Sequence, residues 1–137
     1  MFSYIRRAQY HETDQMGLIH HSNYVKWMEE ARIAFMDELG VSYRALEESG
    51  IVSPVTGISV DYKKPVRFDD EVEIKVSVVN YTGVKLEIAY SMFNKTTGEL
   101  AAEAVSKHCF IKDGRIVSLK RANKELDHAI SENMGEE

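Results

Sequence analysis

Between residues 10 and 32 the chain reads YHETDQMGLIHHSNYVKWMEEAR, which gathers Tyr10, His11, Glu12, Asp14, Gly17, His20 and His21 just ahead of a helical pattern. The plainest account is a polar loop whose residues suit turns and caps. A metal centre would need converging ligands, but adjacent histidines in a turn point apart and no HExxH pair is present. A Ser or Cys nucleophile lacks support too, because neither Ser22 nor Cys109 stands in a motif that supplies a base. A carboxylate beside a helix start remains. Free N–H groups and the positive end of the helix dipole polarise a carbonyl and stabilise an oxyanion, while Asp14 attacks that carbonyl or deprotonates a water next to it. Gly17 lets the chain bend between the acid and the helix, and its missing side chain leaves room for a substrate. Hydrolysis of an activated acyl group fits these parts.

The surrounding elements must position them. Phe2, Tyr4, Arg6, Ala8 and Tyr10 alternate with their neighbours as in a strand that Tyr10 closes. Tyr24, Trp27, Met28, Ala31, Phe35 and Leu39 recur at three- and four-residue steps, which predicts an amphipathic helix capped by Ser22 or Asn23 and ended by Gly40. A short helix over Tyr43 to Glu48 follows. Alternation then predicts strands over Thr56–Lys63, Glu71–Val78, Val84–Met92 and Leu100–Ile111, the last apolar enough on both faces to be covered on each side. Glycine-bearing turns at Gly83, Gly98 and Asp113–Gly114 make the pairing antiparallel. The expected architecture is α+β, one long helix across a curved antiparallel sheet of about five strands, with the long final strand as a dimerising edge. Residues 1–137 form one domain in this reading, with an amphipathic helix and acidic tail over about 120–137.

Composition narrows the function. Seventeen basic against 22 acidic side chains give a net charge of −5, which disfavours nucleic acid as a partner. One cysteine rules out an intrachain disulfide and points to the reducing cytoplasm, and no run of apolar residues is long enough to suggest export or membrane spanning.

The string Tyr10-x-x-x-Asp14-x-x-Gly17-x-x-x-His21-x-Asn23-Tyr24, followed by WMEEAR, resembles the 4-hydroxybenzoyl-CoA thioesterase-like branch of the hot-dog-fold acyl-CoA thioesterases. VDYKKPVRFDDEVEI resembles that family's second-strand segment and the turn into its third, and only about twenty C-terminal residues fall outside the likeness. The resemblance implies a hot-dog fold assembled as a homodimer or homotetramer. It implies an acyl-CoA thioesterase without metal or other cofactor, in which Asp14 is general base or nucleophile. His21 lies near the substrate carbonyl with its backbone N–H as oxyanion donor, Tyr10 supports, and Gly17, Asn23 and Tyr24 border the substrate. His20 departs from the aromatic residue that many members carry there. Coenzyme A phosphates call for local positive charge, and Lys63, Lys64 and Arg67 form the densest such group, ahead of Lys120, Arg121 and Lys124. Two rival readings are a hot-dog hydratase or dehydratase, whose Asp is followed closely by Pro and His rather than by Gln15, Met16 and Gly17, and an acyl-CoA binder without catalysis.

Overall fold

Alternating side chains and one long apolar stripe produce a sheet wrapped around a helix. The computed structural model describes residues 2–134. Strand β1 (Phe2–Arg7) leads through a 3-10 turn (Tyr10–Glu12) and a loop into helix α1 (Ser22–Glu38), and α2 (Tyr43–Glu48) follows. Next come the two-residue strand β2 (Ile51–Val52) and the long strands β3 (Val55–Tyr62), β4 (Glu71–Tyr81), β5 (Lys85–Asn94) and β6 (Glu99–Cys109). Short strands β7 (Ile111–Lys112) and β8 (Arg115–Ile116) and helices α3 (Leu119–Ala122) and α4 (Lys124–Glu132) complete the order.

Five strands form one antiparallel sheet in the order β1-β4-β5-β6-β3. Val72, Ile74, Val76 and Val78 of β4 and Leu86, Ile88, Tyr90 and Met92 of β5 are buried. Against them α1 lays Tyr24, Trp27, Met28, Ala31 and Phe35, the stripe expected from its spacing, with Trp27 wholly enclosed. Gly40, at φ +85°, takes the left-handed conformation that lets the chain leave this helix.

Several expectations are corrected. β1 ends at Arg7, not Tyr10, because the Gln9 N–H turns to the Glu12 carboxylate instead of continuing the ladder. The long final strand β6 is interior, and β3 forms the edge. Only one face of β6 is covered, since Glu103 and Lys107 on the other are exposed. That strand also stops at Cys109, after which β7 joins β2 and β8 in a small second sheet. Neither Ser22 nor Asn23 is the N-cap. Both lie inside α1, and the His20 Nδ1 accepts the Ser22 N–H at 3.2 Å instead. The C-terminal segment packs as α3 and α4, burying Leu119, Leu126 and Ile130, and the last residues of the acidic tail, 135–137, lie outside the described residues. No described helix is long and apolar enough to cross a membrane.

Candidate active site

The loop between β1 and α1 is held by bonds that its own sequence supplies. Asp14 N–H donates to the Leu18 carbonyl at 2.7 Å, while the Asp14 Oδ1 accepts from Met16 N–H at 2.8 Å and Leu18 N–H at 3.1 Å. An Asx turn of this kind clamps the carboxylate by one oxygen and leaves Oδ2 with no described protein donor. Gly17 closes the turn at φ +78° with open space where a Cβ would stand. Its requirement is therefore the left-handed backbone and not, as the sequence suggested, room beside a substrate. Ile19 N–H to the Val66 carbonyl at 2.8 Å and His20 N–H to the Glu12 carbonyl at 2.8 Å fasten the second half of the loop.

Most amides at the start of α1 are already committed. Ser22 N–H goes to His20 Nδ1, Asn23 N–H to the His20 carbonyl and Tyr24 N–H to the His21 carbonyl. Among the described hydrogen bonds the His21 N–H donates to none, so the several free amides expected at this helix start reduce to that one. Asp14 and His21 line one cleft of about 300 Å³ together with Tyr24, Tyr62, Lys63 and Lys64. Tyr62, which sequence reasoning did not select, donates its hydroxyl to the His21 carbonyl at 3.1 Å and stands edge-on to Tyr24 with ring centroids 4.9 Å apart. The signal for it was its place in the strand immediately before the Lys63–Lys64 pair. Burial, then the neighbouring Tyr62, pushes the Tyr24 hydroxyl up to about 12 against a bond to the Val66 backbone, and burial also raises Tyr62. Both rings stay uncharged in neutral solution.

The remaining candidates divide. Lys63 Nζ is engaged by Asp61 at 3.0 Å and Glu103 at 3.5 Å, whereas Lys64 is in no described salt bridge and keeps its charge available at the cleft. Arg67 pairs its backbone with Leu18 but is outside the cleft lining, and Tyr10 stands exposed against Phe68 with ring centroids 5.5 Å apart, also outside it. Asn23 is buried and donates Nδ2 to the Glu12 carbonyl at 3.0 Å and the His20 carbonyl at 3.2 Å. It ties the loop to the helix and does not line the cleft. The second basic group, Lys120, Arg121 and Lys124, belongs to α3 and α4, which join the sheet at the Gly83 turn, far along the strands from the cleft.

Glu12 was one of several loop acids in the sequence, and the structure gives it a separate task. It is 4% exposed and accepts from Arg6 at 2.8 Å, Trp27 Nε1 at 3.0 Å and Gln9 N–H at 2.8 Å. Arg6 in turn holds Glu30 at 2.8 Å, and Tyr4 holds Glu30 at 3.0 Å. Nothing in the local spacing could have announced partners on three elements.

The model of the thioesterase-like superfamily matches residues 8–130. That match runs further toward the C-terminus than the sequence resemblance, into α4. YneP of Bacillus subtilis strain 168, named as a candidate acyl-CoA thioesterase, is 39% identical over 101 residues, which are 74% of this chain and 72% of that protein. An Aquifex aeolicus protein named as a candidate esterase is 34% identical over 120 residues, 88% of this chain and 92% of its own. The crystal structure of DHNA-CoA thioesterase from Staphylococcus aureus superposes with a TM-score of 0.91 at 36% identity, covering 95% of this chain and 88% of that one.

Proposed function

This chain belongs to the thioesterase-like superfamily and is a thioester hydrolase, and from that premise we propose that it cleaves acyl-CoA to a free acid and coenzyme A, with Asp14 as the reacting carboxylate. The observation that carries the reading is the shared cleft: an Asp14 oxygen without a protein donor and the uncommitted His21 N–H border the same space. A thioester carbonyl aimed at the His21 N–H has its developing negative charge met by a fixed dipole at a helix start. Asp14 then either takes a proton from a water that adds to the carbonyl carbon, or adds to that carbon itself and is released from the resulting anhydride by water. In both routes the C–S bond breaks and the thiolate leaves, taking up a proton. Asp14 Oδ1 stays bound to Met16 and Leu18 throughout, so the attacking oxygen is held in place before substrate arrives.

Lys64 is the cleft's candidate for a coenzyme A phosphate, and Arg67 extends the positive charge beyond the lining. Tyr10 supports the site from a distance, its carbonyl accepting the Thr13 N–H that begins the Asp14 loop. The exposed edge of β3 carries Val55, Ile58 and Tyr62 beside unpaired backbone groups, which supports a homodimer formed across that edge. The lone Cys109 fits a cytoplasmic setting.

The deciding measurement is thiol release from a panel of aliphatic and aromatic acyl-CoAs by the wild type and by Asp14→Asn. The amide keeps an oxygen for Met16 and Leu18 while removing the charge, so the variant is expected to melt as the wild type does. Its turnover is expected to fall about a hundred- to ten-thousandfold. Unchanged release in a folded variant would remove Asp14 from the reaction. His21→Ala retains its backbone N–H and is expected to lose less.

A further inference from the structure

The cleft continues along the fold toward a buried polar cluster that the hydrolytic step does not use. Register pairs Tyr62 with Ala102, Val60 with Ala104 and Ile58 with Ser106, and strand alternation turns all six side chains to the face that α1 covers. Small side chains thus floor a seam between α1 and the β3 edge. From Tyr62 to Ile58 the strand advances about 13 Å. From Tyr24 to Arg32 the helix advances about 12 Å. Both walls that begin at the cleft therefore reach the same end.

At that end the Tyr90 hydroxyl lies 2.7 Å from Ser106 Oγ, which lies 2.7 Å from His108 Nε2. All three residues are at most 2% exposed, and His108 Nδ1 is buried without a partner. Arg32 faces the Tyr90 hydroxyl and His108, with the exposed Glu29 as the nearest acid acting on Tyr90. A guanidinium only donates, so the relay runs from Arg32 to Tyr90, to Ser106 and to His108 Nε2, which leaves the proton on Nδ1. Burial, with Arg32 adding to it, lowers the His108 pKa to about 4, so the ring is neutral in neutral solution. Arg32 forms no salt bridge among the described residues, and it lines a cavity of about 20 Å³ beside Leu86 and Phe110, the neighbours of His108 on the sheet. A space of that size holds about one water-sized group.

We propose that this cluster is the far end of the acyl site and selects acyl groups that end in a hydrogen-bond-accepting oxygen, with Arg32 and His108 as specificity-determining residues. Two donors, one of them cationic, converge on a space that suits one oxygen and repays an acceptor far better than a methyl group. The inference rests on the acyl-CoA reading above.

Its test compares kcat/KM for three acyl-CoAs with chains of about ten carbons, chosen to match the ~12 Å span: unsubstituted, ω-hydroxyl and ω-carboxyl. The wild type is expected to favour at least one oxygenated chain over the plain one by about tenfold, the scale of one charge-assisted hydrogen bond. Arg32→Met and His108→Phe are expected to bring that ratio close to one through KM, and Arg32→Lys to restore part of it. Should either first variant fail to fold, Ser106→Ala breaks the relay with less loss of volume and carries the same expectation. Release from all three chains with a wild-type ratio of one, or a ratio that survives the substitutions, overturns the inference and leaves the hydrolase reading standing. No release from any chain, by a protein that also hydrolyses no other acyl-CoA, overturns both.

Discussion

The two flanks of helix α1 carry similar polar residues to opposite ends. On the β1 flank Arg6, Glu12, Glu30, Tyr4 and Trp27 satisfy one another, and the Arg6 guanidinium also lies 5.7 Å from the centre of the Trp27 ring. On the β3 flank Arg32 is without a salt bridge, His108 Nδ1 has no partner and the neighbouring edge strand exposes Ile58 and Tyr62. A closed network is rigid and fixes position, whereas an incomplete one is ready for a ligand. The closed flank therefore sets the height of the Asp14 loop, and the open flank receives what that loop acts on.

The largest expected effect breaks the closed flank. Glu12→Ala strands the half-buried Arg6 and frees Trp27 Nε1, which should cost about 3–5 kcal/mol in denaturant unfolding. Glu12→Gln, which keeps an acceptor for Trp27, should cost less. A variant as stable as the wild type would mean that the flanks do not differ as described.

On the open flank the contrast appears as a pH dependence. His108 has a folded-state pKa of about 4 against an ordinary 6.5, so the unfolded chain binds the proton first as the solution is acidified. Its contribution to stability is whole above the unfolded pKa and is lost as pH falls through the window from 6.5 to about 4, up to about 3 kcal/mol. His108→Phe should flatten this part of the stability profile, and a profile identical to wild type would exclude a buried neutral histidine.

Smaller effects fall where the flanks meet at the loop. Asn23→Ala removes two bonds to the Glu12 and His20 carbonyls and should cost about 1–2 kcal/mol. Turnover should fall more than KM rises, since what is lost is the placement of the His21 amide. Gly17→Ala is expected to cost about 1 kcal/mol, because the added methyl meets open space and only the left-handed backbone resists it. A much larger loss in either case would point to a direct role in binding substrate.

What could be read from the chain alone was whatever repeats at short range. The two-residue alternation of β3 to β6, the three- and four-residue stripe from Tyr24 to Leu39 and the glycine turns at Gly83 and Gly98 each follow from one residue's relation to its near neighbours. The string from Tyr10 to Tyr24 was legible in the same way, because Asp14 bonds within its own loop. Which acid serves chemistry and which serves structure was not legible. Asp14 and Glu12 sit two residues apart with the same charge, and they differ only in that Glu12 meets Arg6 and Trp27 from β1 and α1 while Asp14 is left at an open cleft. The choice of β3 rather than β6 as the edge, the arrival of Tyr62 at His21 and the meeting of Arg32 with Tyr90, Ser106 and His108 were likewise settled by packing. Periodicity states which way a side chain faces, but only the folded chain brings residues dozens of positions apart within hydrogen-bond distance and decides what each one faces.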